Sequence, residues 1–170
     1  MSDDIYREII LDHYRNPRNK GKLENADVTV HDSNPICGDE IDIHLKVDGG
    51  VISDVKFEGK GCAISQASAS MLTELVMGKD LNIVKDLKKE DILENIGLTN
   101  LGPARIKCAL LSLKVLKVGM VKYYSENDPQ SAEQISSESS FYWSLSNQWT
   151  IYYIDYWQKH APYAGLRIFW

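Results

Sequence analysis

Apolar and polar residues alternate along the N-terminal third of the chain. Through IDIHLKV the alternation is strict, and it predicts a β-strand over 41–47 with one apolar and one polar face. Shorter alternations at 28–30 and 55–57 predict two more strands, and Gly49-Gly50 predicts a hairpin turn between the second and third. These signals predict a small antiparallel sheet with one face exposed to water.

The other apolar positions follow a helical period. Asp3 and Asp4 are expected to cap a first helix, which Asn16-Pro17 stops. Further helical patterns run over 63–77, around 81–87 and 90–96, and from Gly102-Pro103 onwards. Strands followed by helices predict an α+β fold, a three-stranded antiparallel sheet with helices packed on one face.

The composition changes after Tyr124. We therefore expect a domain over 1–124, a serine-rich polar linker over 125–140 and an aromatic-rich tail over 141–170 that holds all four tryptophans. Asp155 and Lys159 make the tail a poor membrane span. Docking of the tail on the domain, on a partner or on a second copy stays open, as do an extension without a specific role and a reading-frame artefact.

Charge and cysteine usage narrow the function. The formal net charge is -5 and the pI about 5.4, which disfavours nucleic acid as a partner. Neither a leader peptide nor a membrane span is expected from the sequence. Three widely separated cysteines cannot all pair, so we expect free thiols in a reducing cytoplasm.

The three cysteines, Cys37, Cys62 and Cys108, occupy similar local settings, in a turn before a strand or near the start of a helix. Such loop ends and helix N-termini can converge at one end of a sheet, where the helix dipole also favours thiolates. Gly38 allows Cys37 and Asp39 to face one ion. Three thiolates and one carboxylate suit Zn²⁺ or an iron–sulfur cluster, and the single hard oxygen should make a cluster easier to release.

Ordinary explanations stand beside this hypothesis. Free cysteines are commonly buried core residues, and Asp39 could be a turn residue. His31 and His44 are predicted to lie on the surface, and His13 to serve packing or the helix dipole. The cations beside the cysteines are solvated helix charges in one interpretation; in the other, they offset the negative charge of a metal centre. These cations are Lys60, Arg105 and Lys107.

Three motifs together resemble the U-type iron–sulfur cluster assembly scaffolds, the family of IscU, SufU and the NifU N-terminal domain. They are NPICGDEI, FEGKGCAISQASASML and PARIKCALLSLK, and ILDHYRNPRNKGKL resembles the N-terminal helix and loop of that family. The match covers about residues 3–122, and GCAISQASAS and PARIKCA look most like the SufU branch. The resemblance implies an α+β fold with a metal site at one end of the sheet.

The resemblance implies that Cys37, Asp39, Cys62 and Cys108 hold a transient [2Fe–2S] cluster or Zn²⁺. Cys108 or Cys62 would accept sulfur from a cysteine desulfurase, Asp39 would be the labile ligand, and Arg105 and Lys107 would supply supporting charge. The expected function is a scaffold that assembles a [2Fe–2S] cluster for apo-proteins. The alternatives are a SufU-like, zinc-dependent sulfur acceptor, a sulfurtransferase rather than a free-standing enzyme, and a structural zinc module. Homo-oligomerisation stays open.

The chain departs from the family pattern at several places. Lys107 stands where IscU proteins commonly have histidine, and GPARIK replaces the chaperone-binding LPPVK of many IscU proteins. The segment from Gly78 to Gly102 is shorter than the insertion usual in SufU proteins. Nothing in the family accounts for the aromatic tail.

Overall fold

A computed structural model describes residues 3–97 and 101–128. The described residues lie in one compact unit, Met1–Ala132. Its elements, in chain order, are α1 (Asp3–Arg15), β1 (Val28–Asn34), β2 (Asp39–Asp48), β3 (Val51–Lys60), α2 (Ala63–Val76), α3 (Leu81–Lys85), α4 (Lys89–Ile96) and α5 (Pro103–Asn127).

The three strands form one antiparallel sheet in the order β1-β2-β3. Gly49 and Gly50 have φ angles of 56° and 82°, so both occupy the left-handed region that the predicted hairpin turn requires. Ile41, Ile43 and Leu45 are buried, as the strict alternation predicted. The predicted three-stranded sheet is therefore confirmed.

The helices pack against one another and against the sheet. Helix α5 contacts β1 and β2, α2 contacts β3, and α2 and α5 contact each other. Helix α1 packs on α2, and α4 contacts both α2 and α5. The core lies between the helix pair and the sheet and includes the fully buried Phe57, Leu72 and Leu116. The predicted α+β fold is confirmed.

Helix α5 is buried more widely than its sequence predicts. Ile106 and Leu110 follow the apolar period of this helix but are only half-buried, whereas Leu111 and Val115 are buried. The sheet, α2, α3 and α4 all contact this helix. A helix that is enclosed on several sides has no single apolar stripe, so the periodic pattern is weak.

The prediction that His44 lies on the surface is wrong. Its side chain points to the polar face of β2 but is only 4% exposed. His44 Nδ1 lies 3.0 Å from Thr29 Oγ1, and Nε2 lies 3.2 Å from Glu58 Oε2. A histidine on a sheet face can be buried when cross-strand neighbours satisfy both ring nitrogens. His31, by contrast, is exposed as predicted.

The C-terminal end of the described part is the end of α5. The helix continues to Asn127, past the expected domain boundary at Tyr124. The rest of the expected linker, beyond residue 128, and the aromatic tail over 141–170 lie outside the described residues. Within the described ranges, no helix combines the length and apolar character needed to cross a membrane.

Candidate metal centre

The hairpin between β1 and β2 positions the first cysteine and the aspartate. Asn34 and Asp39 face each other in the ladder, and residues 35–38 form the loop. Gly38, at φ 70°, donates its N–H to the Asn34 carbonyl at 2.8 Å. Cys37 is exposed in this loop, whereas Asp39 at the start of β2 is only 1% exposed.

The second cysteine is the N-cap residue of α2, directly after β3. The Cys62 backbone N–H donates to Asp39 Oδ1 at 2.9 Å, and Cys62 Sγ lies 3.5 Å from Asp39 Oδ2. Gly61 is packed tightly here, because an added Cβ would lie 2.6 Å from Asp39 Oδ1. The aspartate thereby fixes the start of α2.

The third cysteine, Cys108, lies in the second turn of α5 and is buried. Its Sγ is 3.1 Å from Cys37 Sγ and 3.4 Å from the Ala104 carbonyl oxygen. The Cys37 sulfur in turn lies 3.0 Å from Asp39 Oδ2. We call Cys37, Asp39, Cys62 and Cys108 the thiol cluster.

The four expected ligand residues therefore meet at one end of the sheet. The ligand atoms of Cys37, Asp39 and Cys108 all lie within 4.8 Å of one another. Cys62 stands slightly apart, in contact with Asp39 but outside this mutual group. The cluster is thus three closely grouped donors with a fourth, exposed thiol at its edge.

The electrostatics of the cluster favour a charged carboxylate beside a neutral buried thiol. Burial by itself would raise the pKa of Asp39, but hydrogen bonds from the Cys37 thiol, the Cys62 N–H and the other thiols hold that pKa below its ordinary value. Burial raises the pKa of the Cys108 thiol, and its neighbours Cys37 and Asp39 raise it further. A bound cation would reverse this preference and favour the thiolate.

The donor set fits zinc in kind and closely in size. Soft thiolates with one carboxylate are ordinary zinc ligands. Two thiolates on a tetrahedral zinc lie about 3.8 Å apart when each bond is about 2.3 Å, against 3.1 Å between the Cys37 and Cys108 sulfurs. This pair of sulfurs therefore requires only a small outward movement, to which the exposed Cys37 loop can contribute.

The three cations expected to support the site differ in their exposure and in their ion-pair partners. Arg105 is exposed and Lys107 half-buried in the first turns of α5, and neither side chain makes a hydrogen bond or ion pair within residues 3–97 and 101–128. Lys60 instead pairs with Glu40 at 3.3 Å. Arg105 and Lys107 thus keep their charge available near Cys108.

Two contact residues were missed by the sequence reading. Ser65 Oγ lies 3.8 Å from Cys62 Sγ and donates to the Cys62 carbonyl at 3.1 Å. Asn34 places its amide Nδ2 4.0 Å from Cys108 Sγ. Asn34-Pro35 signals a turn, but nothing in the sequence indicates that Asn34 reaches a residue 74 positions away.

The fold and the site together define a class: a small α+β domain with three thiols and a carboxylate at one end of an antiparallel sheet. The chain belongs to the NifU-like N-terminal domain family, whose model matches residues 5–130.

Named relatives agree with this family. The chain is 44% identical over 136 residues to the zinc-dependent sulfurtransferase SufU of Bacillus subtilis, covering 71% of this chain and 92% of the relative. It is 39% identical over 133 residues to the iron–sulfur cluster assembly scaffold protein IscU of Thermotoga maritima, covering 69% and 94%. In both alignments, the number of aligned residues from this chain is smaller than the length of the alignment. Each relative therefore carries residues that have no counterpart here.

A solved structure is also similar. The crystal structure of FiSufU from Fervidobacterium islandicum AW-1, described as a scaffold protein for the SUF system, has a TM-score of 0.59 and 35% sequence identity. The match covers 71% of this chain and 99% of that one. The resemblance to the U-type scaffolds, with the SufU branch among them, is confirmed.

Proposed function

We propose that this protein is an iron–sulfur cluster assembly scaffold that accepts sulfur from a cysteine desulfurase and assembles a [2Fe–2S] cluster for apo-proteins. The observation that carries the proposal is the convergence of three thiols and a buried carboxylate at one end of the sheet. Similarity to IscU scaffold proteins supports it. The free thiols suit a reducing compartment, for which we propose the cytoplasm.

The second candidate is a zinc-dependent sulfur acceptor. Identity of 44% to a protein named zinc-dependent sulfurtransferase SufU favours it. Cys37, Asp39, Cys62 and Cys108 would hold the zinc, which when bound stabilises thiolates at neutral pH. Arg105 and Lys107 would offset the excess negative charge of this ligand set.

Both candidates begin with transfer of a sulfane sulfur. A thiolate of this protein attacks the outer sulfur of the desulfurase persulfide, and the S–S bond to the donor breaks. The donor cysteine leaves as a thiolate, and the acceptor becomes a persulfide without net oxidation or reduction.

Exposure separates the candidate acceptors. Cys62 and Cys37 are exposed, whereas Cys108 is 4% exposed and cannot meet a partner's persulfide without a local rearrangement. Asp39 is the hard ligand beside Cys62 and is expected to leave first. We therefore place first sulfur transfer on an exposed thiol, with Cys62 preferred over Cys108. Mass mapping of the persulfide on Cys108 alone, after one turnover, would overturn this assignment.

Metal content and desulfurase stimulation test the function together. The purified full chain is expected to stimulate alanine release by a cysteine desulfurase and to hold metal that depends on Cys108. Anaerobic reconstitution with iron and sulfide separates the two candidates, since an assembled cluster absorbs visible light. Persistent zinc without colour would favour the sulfur acceptor. Metal-dependent folding without any stimulation would leave only a structural zinc module.

A further inference from the structure

We propose that Asn34 is a positioning residue for the thiol cluster. Its backbone and side-chain oxygens hold the Cys37 loop, and its side-chain N–H orients the Cys108 sulfur. The inference rests on the proposed metal-binding function, and its test separates the two.

The loop contacts of Asn34 come from two different groups. Its side-chain Oδ1 accepts the Ile36 N–H at 3.1 Å, and its backbone oxygen accepts the Gly38 N–H at 2.8 Å. The two donors, Ile36 and Gly38, are the residues directly before and after Cys37. The bonds hold an exposed cysteine in a loop whose neighbouring residues, Ile36 and Gly38, are exposed as well.

The remaining group of Asn34, the amide Nδ2, points towards Cys108. It lies 4.0 Å from Sγ, at the long end of an N–H to sulfur contact. Asn34 is 1% exposed, so its N–H groups cannot turn to water instead. The Cys108 sulfur is therefore the hydrogen-bond acceptor that this buried amide N–H faces.

Two hydrogen-bonding groups outside the ligand set face the Cys108 sulfur within the described part of the chain, one an acceptor and one a donor. The Ala104 carbonyl, at 3.4 Å, accepts a hydrogen bond from the thiol. The Asn34 N–H is the donor of the two, so it is the contact that a ligand sulfur can keep when it binds an ion. Asn34 should therefore matter most in the metal-bound form, in the manner of an outer-shell partner that orients a ligand.

Substitutions can separate the loop role from the donor role. Asn34→Asp keeps an oxygen for the Ile36 N–H but places an oxygen without a proton against Cys108. Asn34→Ser keeps a short acceptor for the loop and removes the donor, without adding charge. Asn25→Asp, at an exposed position, is the matched control for the added negative charge.

The experiment uses cobalt(II) as a zinc substitute in the full-length protein. Cobalt–thiolate absorption reports the ligand sulfurs, and titration gives the affinity. Outer-shell changes typically cost about 10–100-fold in metal affinity, and we expect a loss in that range for Asn34→Asp, a smaller one for Asn34→Ser and none for Asn25→Asp. The charge-transfer band of the cobalt-saturated protein should also shift in both Asn34 variants, apart from any stability that the metal-free variants lose because a buried side chain is changed.

Each outcome has a distinct meaning. If wild-type protein gives no cobalt–thiolate band, the proposed metal centre fails and this inference fails with it. If wild type gives the band and both Asn34 variants match it in position and affinity, only the role of Asn34 is overturned. Weakened cobalt binding with an unshifted band and an equally weakened metal-free protein would also overturn it, since Asn34 would then be purely structural.

Discussion

Two polar clusters touch α2, and they are built on opposite principles. The thiol cluster at its N-terminus gathers three thiols around one carboxylate. The second, which we call the histidine cluster, consists of His13, Arg18, Ser70 and Glu74 at the contact between α1 and α2. There, Ser70 Oγ accepts the Arg18 N–H at 2.8 Å and meets His13 Nδ1 at 2.9 Å.

The two clusters differ in whether they require a charge from outside. In the histidine cluster a donor faces an acceptor at each contact, and His13 Nε2 lies 3.8 Å from Glu74 Oε2. In the thiol cluster every side-chain ligand becomes an anion when it loses its proton, so full ionisation requires a cation from outside. Burial of polar groups therefore does not itself indicate a binding site; a group of neighbouring side chains that can all become anions is the stronger indication.

Removal of the carboxylate should have the largest effect. Asp39→Ala deletes one expected ligand and the acceptor for the Cys62 N–H, so we expect zinc affinity to fall by at least about tenfold, the lower end for loss of even an outer-shell partner. Zinc competition with a chromophoric chelator measures this. Asp42→Ala, on the same strand but paired with His31, is the control and should bind zinc as wild type does. Equal affinity of the two variants would exclude Asp39 as a ligand.

Crowding of the same cluster should have the next largest effect. In Gly61→Ala the new Cβ would lie 2.6 Å from Asp39 Oδ1 and 2.7 Å from Ser65 Oγ, so both side chains must move. We expect a loss of about 1–3 kcal/mol in the free energy of unfolding, as for other overpacked sites, together with weaker zinc binding. Gly102→Ala, at the N-cap of α5, meets nothing within 4 Å and is the matched control. Chemical denaturation of both variants, with zinc and with chelator, decides the outcome.

Much of this fold could be predicted because its signals are local. The alternation over 41–47, the Gly49-Gly50 turn and the Pro103 helix start each act within a few residues. His44 was misjudged because its burial depends on Thr29 and Glu58, which only the strand register brings to it. The enclosure of α5 on several sides likewise arises from tertiary packing.

The two clusters also differ in how far the sequence alone could predict them. Residue type made the thiol cluster one of two open interpretations, because cysteines and an aspartate near turns and helix starts carry their chemistry with them, and the resemblance to the U-type scaffolds then implied the ligand set. The histidine cluster could not be predicted in this way, since His13 and Ser70 are 57 residues apart and serine is common in many settings. Asn34 presents the same difficulty, because the role proposed for its amide depends on its contact with Cys108, which the sequence does not show.

Deletion of the central hydroxyl tests whether the histidine cluster is self-satisfied. Ser70→Ala leaves the Arg18 N–H and the ring of a buried His13 without their shared partner. An unpaired buried polar group costs about 1–3 kcal/mol, so we expect a loss in that range with zinc affinity unchanged. Ser125→Ala, which removes an exposed hydroxyl on α5, should change stability by less than about 0.5 kcal/mol. A loss of zinc affinity in Ser70→Ala would contradict the independence of the two clusters.

The smallest expected effect is a pH dependence from His13. Burial lowers the pKa of His13 below its ordinary value of 6.5, and Arg18 lowers it further, against opposing contributions from Glu74 and Asp12. Below pH 6.5 the unfolded chain therefore binds more protons than the folded one, so the stability that neutral His13 contributes is present above this pH and is lost as pH falls. In metal-free protein, melting curves between about pH 8 and about pH 5 should fall less steeply for His13→Gln than for wild type. Glu74→Gln, which removes a group that raises the pKa, should make the fall steeper. Parallel curves for all three proteins would mean that the pKa of His13 is the same in the folded and unfolded chain. The histidine cluster would then show no pH dependence to set it apart from the thiol cluster.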